Sequence, residues 1–375
     1  MSKQCEDCCV ALDDANYGGW VEHSYSISQP RRYYYCQRCV AEREARAEKK
    51  AKFFRQKVGC CVVAFILLGI LAFFIFRNDV IRNLAINGAG PEEPPGGGPK
   101  EPPTASKPGQ EVSLEIAPDV TLVFCWVPPG KAQLGAPEQE LVNLAKINPR
   151  AKRWMDAESE QFRPSYTSVG FWLGKYEVTQ TEWAAVMGAN PSVFDGKNAN
   201  KAKALDTSRF PVENVSWNDC QDFLKRLNAK AGAVEKTLGT YAPLTLPHED
   251  EWEFACRGGK GNGQPFHFGA VLDGRQANCD GTVPWGGRMP GPNLGRPTTV
   301  GSYGKDDPHP WGLCDMHGNV EEWCENTQVL GEVSRVLRGG AWAAPAWVCR
   351  SANRSSAPSV RSYRAGLRVC VRVHQ

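Results

Sequence analysis

Three hydrophobic patterns follow one another along the chain. The first is an unbroken run, "VGCCVVAFILLGILAFFIF", residues 58–76, with no charge in 19 positions. A helix needs about 20 apolar residues to cross a bilayer core, so the run predicts a transmembrane span. A buried core helix would usually carry polar residues on one face, and a signal peptide would begin near residue 1. The second pattern is a gap: "GAGPEEPPGGGPKEPPTASKPGQ", residues 88–110, has no large apolar side chain. It predicts a semi-extended Pro/Gly-rich tether over 77–110. From residue 111 the pattern becomes that of a globular domain running to 375. "VTLVFCWVPPG" alternates and is β-branched, a strand closed by Pro128, Pro129 and Gly130.

Helical spacing follows in three places. "TQTEWAAVMG" has Thr179 as a candidate N-cap, and "NDCQDFLKRLNAKAG" has Ser216 or Asn218 before it and Gly232 as a stop. "DEWEFACRGG" predicts a short helix ending at Gly258. "SRVLRGGAW" and "YRAGLRVCVRV" read as strands with glycine turns. Helices and strands mix without βαβ regularity, so the predicted class is α+β.

Charge orients the span. Arg43, Arg46, Lys49, Lys50, Lys52, Arg55 and Lys57 precede it, and Arg77 and Arg82 follow. Cationic flanks stay in the cytoplasm, which predicts a cytoplasmic N-terminus and an exported main domain, periplasmic or extracellular. The charged stretch 41–57 reads as a solvated helix leading to the membrane. The overall charge of +3 over 375 residues is too small to suggest a nucleic-acid partner.

Cysteines fall in three groups matching these regions. Residues 1–40 hold "CEDCC" and "CQRC", two C-x2-C pairs separated by 26–27 residues. Four thiolates in two close pairs suit tetrahedral zinc, with Cys5, Cys8, Cys36 and Cys39 as ligands and Cys9 or His23 as substitutes. The intervening "GGWVEHSYSISQPRRYYY" predicts a hairpin around a Gln-Pro turn. So small a head has little core of its own, and metal would supply its stability. Disulfides are the rival, disfavoured on the reducing side of a membrane. A redox C-x2-C is another, without the βαβ unit that would support it.

In the exported half, "FWLGKYEVTQTEW", "NPSVF", "FPVENVSWNDCQDFLKRLN", "LPHEDEWEFACRGG", "GLCDMHGNVEEW", "VLRGGAW", "CRSANR" and "GLRV" occur in this order. Together they resemble the formylglycine-generating enzyme, or sulfatase-modifying factor, family from about Leu122 to Val373. The resemblance implies an irregular, C-type-lectin-like α+β fold rich in aromatics. On that fold Trp183, Trp217, Trp252, Trp323 and Trp342 read as packing residues. Gly339 and Gly340 read as positions needing close backbone approach or positive φ. Glu249 and Glu253, one helical turn apart, are either an acid–base pair or arginine partners.

Active members oxidise a substrate cysteine with O2, holding Cu(I) between two thiolates five residues apart just after an Arg/Lys-Gly-Gly-Ser motif. Soft thiolates suit that ion. Here the strip is "RGGAWAAPAWVC", and the first copper position falls near Ala344, which has no ligating atom. Its one thiol, Cys349, stands where relatives have a disulfide cysteine. The resemblance implies the bridges Cys256–Cys349 and Cys220–Cys370, leaving Cys125, Cys279, Cys314 and Cys324 unassigned. A nucleophilic Cys349 activated by Arg350 and Arg354 is the competing reading. Other relatives use iron on a His-x3-His-x-Glu cluster, a spacing absent among the six histidines. A family calcium loop maps onto Asp315, Gly318, Val320 and Glu322, oxygen donors of the kind Ca2+ prefers. The alternative there is a glycine turn entering a strand.

The combined expectation is a single-pass membrane protein, resembling bacterial surface or periplasmic architectures. The zinc head would meet a cytosolic partner, and the exported domain would bind or sense an unknown protein or glycan without catalysis. The alternative is a divergent metal-dependent oxidoreductase of the same family.

Overall fold

The computed structural model describes residues 17–23, 31–36, 107–148, 166–197, 202–229, 242–287, 289–327 and 334–373. It divides into two units, Met1–Gly97 and Gly98–Gln375.

In the first unit β1 (Tyr17–His23) pairs antiparallel with β2 (Arg31–Cys36), with Trp20 opposite Tyr34 and Val21 opposite Tyr33. This is the hairpin expected from the alternating aromatic residues. It places the backbone of Cys36 opposite Tyr17. Cys5, Cys8, Cys9 and Cys39, the charged stretch 41–57, the apolar run 58–76 and most of the tether lie outside the described residues. Among the described residues no helix is long and apolar enough to cross a membrane.

The second unit is α+β. A five-stranded sheet has the order β3-β4-β7-β13-β8 (Glu111–Ala117, Val120–Val127, Phe171–Gly174, Cys370–Arg372 and Leu244–Thr245 respectively). The last strand of the chain thus lies inside the sheet, beside β7, pairing Val371 with Trp172. A four-stranded sheet, β11-β10-β9-β12, is made of Ser355–Pro358, Ser334–Arg338, Glu321–Thr327 and Ala365–Gly366. The ribbon β5-β6 (Gly130–Ala132 and Tyr166–Ser168) completes the strands.

Among the described residues four helices pack on this frame: α1 (Glu138–Ile147), α2 (Gln180–Met187), α3 (Trp217–Asn228) and α4 (Glu249–Cys256). Each of the last three starts with a capping box. Thr179 and Glu182 exchange hydrogen bonds on α2, Ser216 and Asp219 on α3, and His248 heads α4. Such a cap contributes about 1 kcal/mol by satisfying orphan N–H groups. Ser216 rather than Asn218 is therefore the cap of α3. This helix ends at Asn228, and Gly232 lies outside the described residues. α1 carries no strong sequence signal, since Pro137 heads it without a side-chain cap.

Tryptophans fill the core as expected. Trp252 and Trp323 are fully buried, Trp183 stacks on Phe223 at 5.0 Å, and Trp217 and Trp342 are half-buried. One apolar cluster joins the five-stranded sheet to α2 and α3 and holds Cys220; a second surrounds Trp252 and Phe254 and holds Cys256 and Cys370. A third, with Phe266, Leu272 and Trp285, holds Cys279 and Cys349.

That partition bears on the two expected bridges, neither of which is formed. The eight cysteines of the second unit, from Cys125 to Cys370, are unbonded thiols. Cys220 and Cys370 pack in different clusters. The Cys256 thiol lies 3.4 Å from Ser351 Oγ and 3.7 Å from the His317 ring.

Candidate functional site

Three loops leave a cleft of about 200 Å³ lined by Lys175, Tyr176, His267, His309, Asp315 and His317, among others. The loop after β7 supplies the first two. The segment 312–317, leading into β9, supplies the last two.

Two of the histidines, His317 and His309, are held in fixed tautomers. His317 Nδ1 donates to the Cys349 carbonyl at 2.8 Å, which leaves its Nε2 as an acceptor. That nitrogen takes the His267 backbone N–H at 3.3 Å and faces His267 Nδ1 at 3.0 Å. His309 Nε2 donates to the Ala255 carbonyl at 2.9 Å, and its Nδ1 accepts from Trp311 N–H at 3.1 Å. Phe266 and Phe268 pack edge-on against the His317 ring, and Phe268 against His267. Burial pulls the His267 pKa down to about 4 and the His309 pKa to about 3, and the neighbouring imidazole adds to the latter. His317 lies well below its ordinary value for the same reasons. At neutral pH the three rings are uncharged hydrogen-bonding groups, poor at taking a proton.

Asp315 sits at the cleft with a left-handed backbone, φ 56°. Its Oδ2 accepts from Gly301 N–H at 2.5 Å, and burial pushes its pKa up to about 6. Glu322 is engaged elsewhere: Arg368 donates to it at 2.7–3.1 Å and Trp252 Nε1 at 2.7 Å. Glu177 accepts from Asn319 at 2.7 Å and from Val320 N–H at 3.1 Å. Burial, then Asp315 and Glu322, raises the Glu177 pKa well above the usual carboxylate range. Gly318 has φ 92°, and a Cβ there would collide with the Asn278 carbonyl. The structure thus places Asp315, Gly318 and Val320 on the turn entering β9 and Glu322 on β9 itself. Among the described residues no group of three or more His, Cys, Asp and Glu side chains is arranged to hold a metal ion. The calcium set in question has only two such side chains, so that finding does not address it.

The helix glutamates resolve to arginine partners. Glu253 pairs with Arg257 at 2.8 Å and Arg338 at 3.0 Å, and Glu249 pairs with Arg354 at 2.5 Å and Arg338 at 3.2 Å. Burial would raise both carboxyls, but the guanidinium groups outweigh it and hold them low. Neither is poised for proton transfer.

The strip after β10 departs from an activated-thiol reading. Gly339 and Gly340 have φ 92° and 72°, as anticipated. A Cβ on Gly340 would lie 2.6 Å from Cys349 Sγ, so the second glycine makes room for that thiol. Arg350 pairs with Glu140 and Arg354 with Glu249, so neither guanidinium activates Cys349. The thiol is raised well above its ordinary value, first by its hydrogen bond to Cys279 and then by burial. Ala344, at the position of a copper ligand in active relatives, is buried.

Sequence reasoning missed the histidine cluster and the Cys279–Cys349 contact. Both join loops distant in the chain, and no fixed spacing announces them.

Comparison with known proteins places the domain. The model of the sulfatase-modifying factor enzyme 1-like domain matches residues 118–373. An inactive C-alpha-formylglycine-generating enzyme 2 of Mus musculus is 35% identical over 140 residues, 36% of this chain and 38% of that protein. The formylglycine-generating enzyme of the same species is 32% identical over 143 residues, 38% of this chain and 33% of its own. The chain therefore spans little more than a third of these two curated relatives. Treponema denticola variable protein 1 shares the fold, with a TM-score of 0.52 and 22% identity over 70% of this chain and 99% of its own. By the extent of the domain match, this chain belongs to the sulfatase-modifying factor enzyme 1-like family.

Proposed function

We propose that the domain is a non-catalytic binding or sensing module that holds its ligand at the histidine-lined cleft. The observation that carries this reading is the thiol inventory beside Gly339–Gly340. Ala343 and Ala344 stand where an active relative needs a ligand, and Cys349 is fully buried. Similarity to an inactive mouse member accords with it. His267, Tyr176 and Lys175 offer hydrogen bonds and a cation in a recess walled by the buried His309 and His317, suited to a polar protein or glycan epitope. Membrane anchoring through 58–76, export of the domain and a zinc-holding head that reaches a cytosolic partner complete the proposal. They rest on the charge asymmetry and the cysteine spacing.

The second reading, a divergent oxidoreductase, draws on the two thiols that do meet, Cys279 and Cys349. One assay separates the readings. The purified full chain is given Cu(I), O2 and a peptide carrying Cys-x-Pro-x-Arg, and mass spectrometry looks for the aldehyde. The binding-module reading expects none. Turnover that disappears in Cys349→Ser establishes the enzyme instead.

Calcium at the Asp315 loop belongs to the proposal. Asp315 and Glu322, with the backbone carbonyls of Gly318 and Val320, are hard oxygen donors of the kind Ca2+ takes. EDTA should lower the melting temperature and Glu322→Gln should abolish the difference. No response to either Ca2+ or EDTA would mean that the loop is only a turn. For the head, zinc content of one per chain that falls in Cys36→Ser is the expected result.

A further inference from the structure

The third apolar cluster brings together Cys279, which the family pattern leaves unassigned, and Cys349, which that pattern would pair with Cys256 instead. Cys279 is 1% exposed and Cys349 is fully buried, and both side chains pack in this one cluster. The backbones carrying them run side by side. Asp280 and Pro345 form a parallel bridge, and Asp280 N–H donates to the Ala344 carbonyl at 2.8 Å. Ala346 N–H donates to the Val283 carbonyl at 3.1 Å.

Each strip is independently fixed. Asn319 N–H donates to the Asn278 carbonyl at 2.8 Å, and Asn278 Nδ2 donates to Asn319 Oδ1 at 3.1 Å, which anchors the segment just before Cys279. On the other side Arg338 donates to the carbonyls of Ser351, Ala352 and Asn353, which anchors the segment just after Cys349. Gly340 leaves the space into which the Cys349 thiol turns. Cys256 competes poorly as a partner, because its sulfur is occupied by Ser351 and His317.

From this juxtaposition we propose that Cys279 and Cys349 are a redox pair, closing to a disulfide that clasps the segment 278–283 to the strip 344–349. With glutathione disulfide as oxidant, the thiolate of one cysteine attacks and the oxidant's S–S bond breaks. One glutathione thiol leaves, and a mixed disulfide forms. The second cysteine then displaces the other glutathione. Two protein thiols lose two electrons and two protons, and one glutathione disulfide becomes two glutathione thiols. The step needs transient access to a buried pair, so local opening sets its rate. The product closes a long loop and constrains the unfolded chain.

The test uses the full-length protein incubated with glutathione disulfide, quenched with acid, alkylated in denaturant and digested without reduction. A peptide linking Cys279 to Cys349 is expected. With it should come a higher melting temperature than in the reduced protein, and that increment should vanish in Cys279→Ser. Cys279→Ala serves as a second variant should the serine hydroxyl unfold the apolar cluster. Two outcomes overturn the pair: both cysteines recovered alkylated after prolonged oxidation, or Cys349 linked to Cys256. Because the oxidant is supplied in the tube, the result does not depend on export or on the absence of catalysis.

Discussion

The domain contains two kinds of buried polar region, and they are built on opposite rules. The frame around α4, β9 and β10 is a set of closed charge pairs. Arg338, Arg350 and Arg368 are each fully buried, and each meets a glutamate. The cleft beside it collects His267, His309, His317 and Asp315, whose pKa values are displaced toward the neutral form. In the frame, burial of a charge is offset by its partner. In the cleft, burial leaves the histidines uncharged and makes the Asp315 carboxyl harder to ionise. The stretches that identify the family, "EDEWEFACRGG", "VLRGG", "CRSANR" and "GLRV", supply mainly the frame. A match to them therefore establishes architecture, and says much less about chemistry at the cleft or at the strip beyond Gly340.

The largest expected effect is on the frame. Arg368→Met removes every guanidinium contact to Glu322 and three hydrogen bonds to backbone carbonyls of Gly174, Lys175 and Cys314. Removing one partner of a buried pair costs about 3–5 kcal/mol, because the remaining charge is stranded. Chemical denaturation should show that loss. The double variant Arg368→Met with Glu322→Gln should recover part of it. If Arg368→Met costs under about 1 kcal/mol, the frame is not held by its ion pairs.

Gly340→Ala comes next. The residue would sit at φ 72° with its Cβ 2.6 Å from Cys349 Sγ and 3.1 Å from Cys349 Cα. Left-handed backbone costs an L-residue roughly 1–2 kcal/mol, and overpacking adds about 1–3 kcal/mol. Cys349→Ala should relieve only the clash with sulfur, so the pair of substitutions should be less than additive. Strict additivity would separate the glycine from the thiol.

The pH dependence distinguishes cleft from frame more gently. His267 and His309 are held neutral in the folded state, at about 4 and about 3 against an ordinary 6.5. Between those values the unfolded chain binds more protons. Their contribution is therefore fully present above pH 6.5 and falls as pH drops toward 4 and then 3. Asp315 runs the other way. Its carboxyl titrates near 6 folded against 3.8 ordinarily, so its contribution is full below 3.8 and lost as pH rises through 6. Unfolding curves of His309→Asn and Asp315→Asn across pH 3–7 should flatten the slope in opposite senses.

How much of this could be read from the sequence follows from the range of the interactions. Capped helices α2, α3 and α4 and the strand at Val120–Val127 were legible, because their signals lie within a turn or an alternation of the residues concerned. The glycines of "RGG" were legible for the same reason. The pairing of cysteines was not. It depends on which apolar cluster receives each thiol, and loops that carry no periodic pattern decide that. The meeting of His267 with His309 and His317 was hidden likewise, as was the use of Glu322 by an arginine near the chain's end. Helix α1 escaped because Pro137 gives it no capping side chain.

The smallest expected effect tests the comparison from outside. Asp219 and Arg361 form a two-pronged pair at 2.8 and 2.9 Å, with geometry as good as any in the frame. Arg361, however, is 58% exposed. Its hydrogen bond is the chief reason the Asp219 carboxyl falls to about 2, with Ser216 contributing further. That stabilisation is present above pH 3.8 and lost as pH falls toward 2. Water and salt screen so exposed a pair, and Arg361→Ala should cost about 0–1 kcal/mol. Asp219→Ala should cost more, because Asp219 also accepts from Ser216 N–H and closes the capping box of α3. If Arg361→Ala proved as damaging as Arg368→Met, burial would not be what makes the frame's pairs matter, and geometry alone would have to account for both.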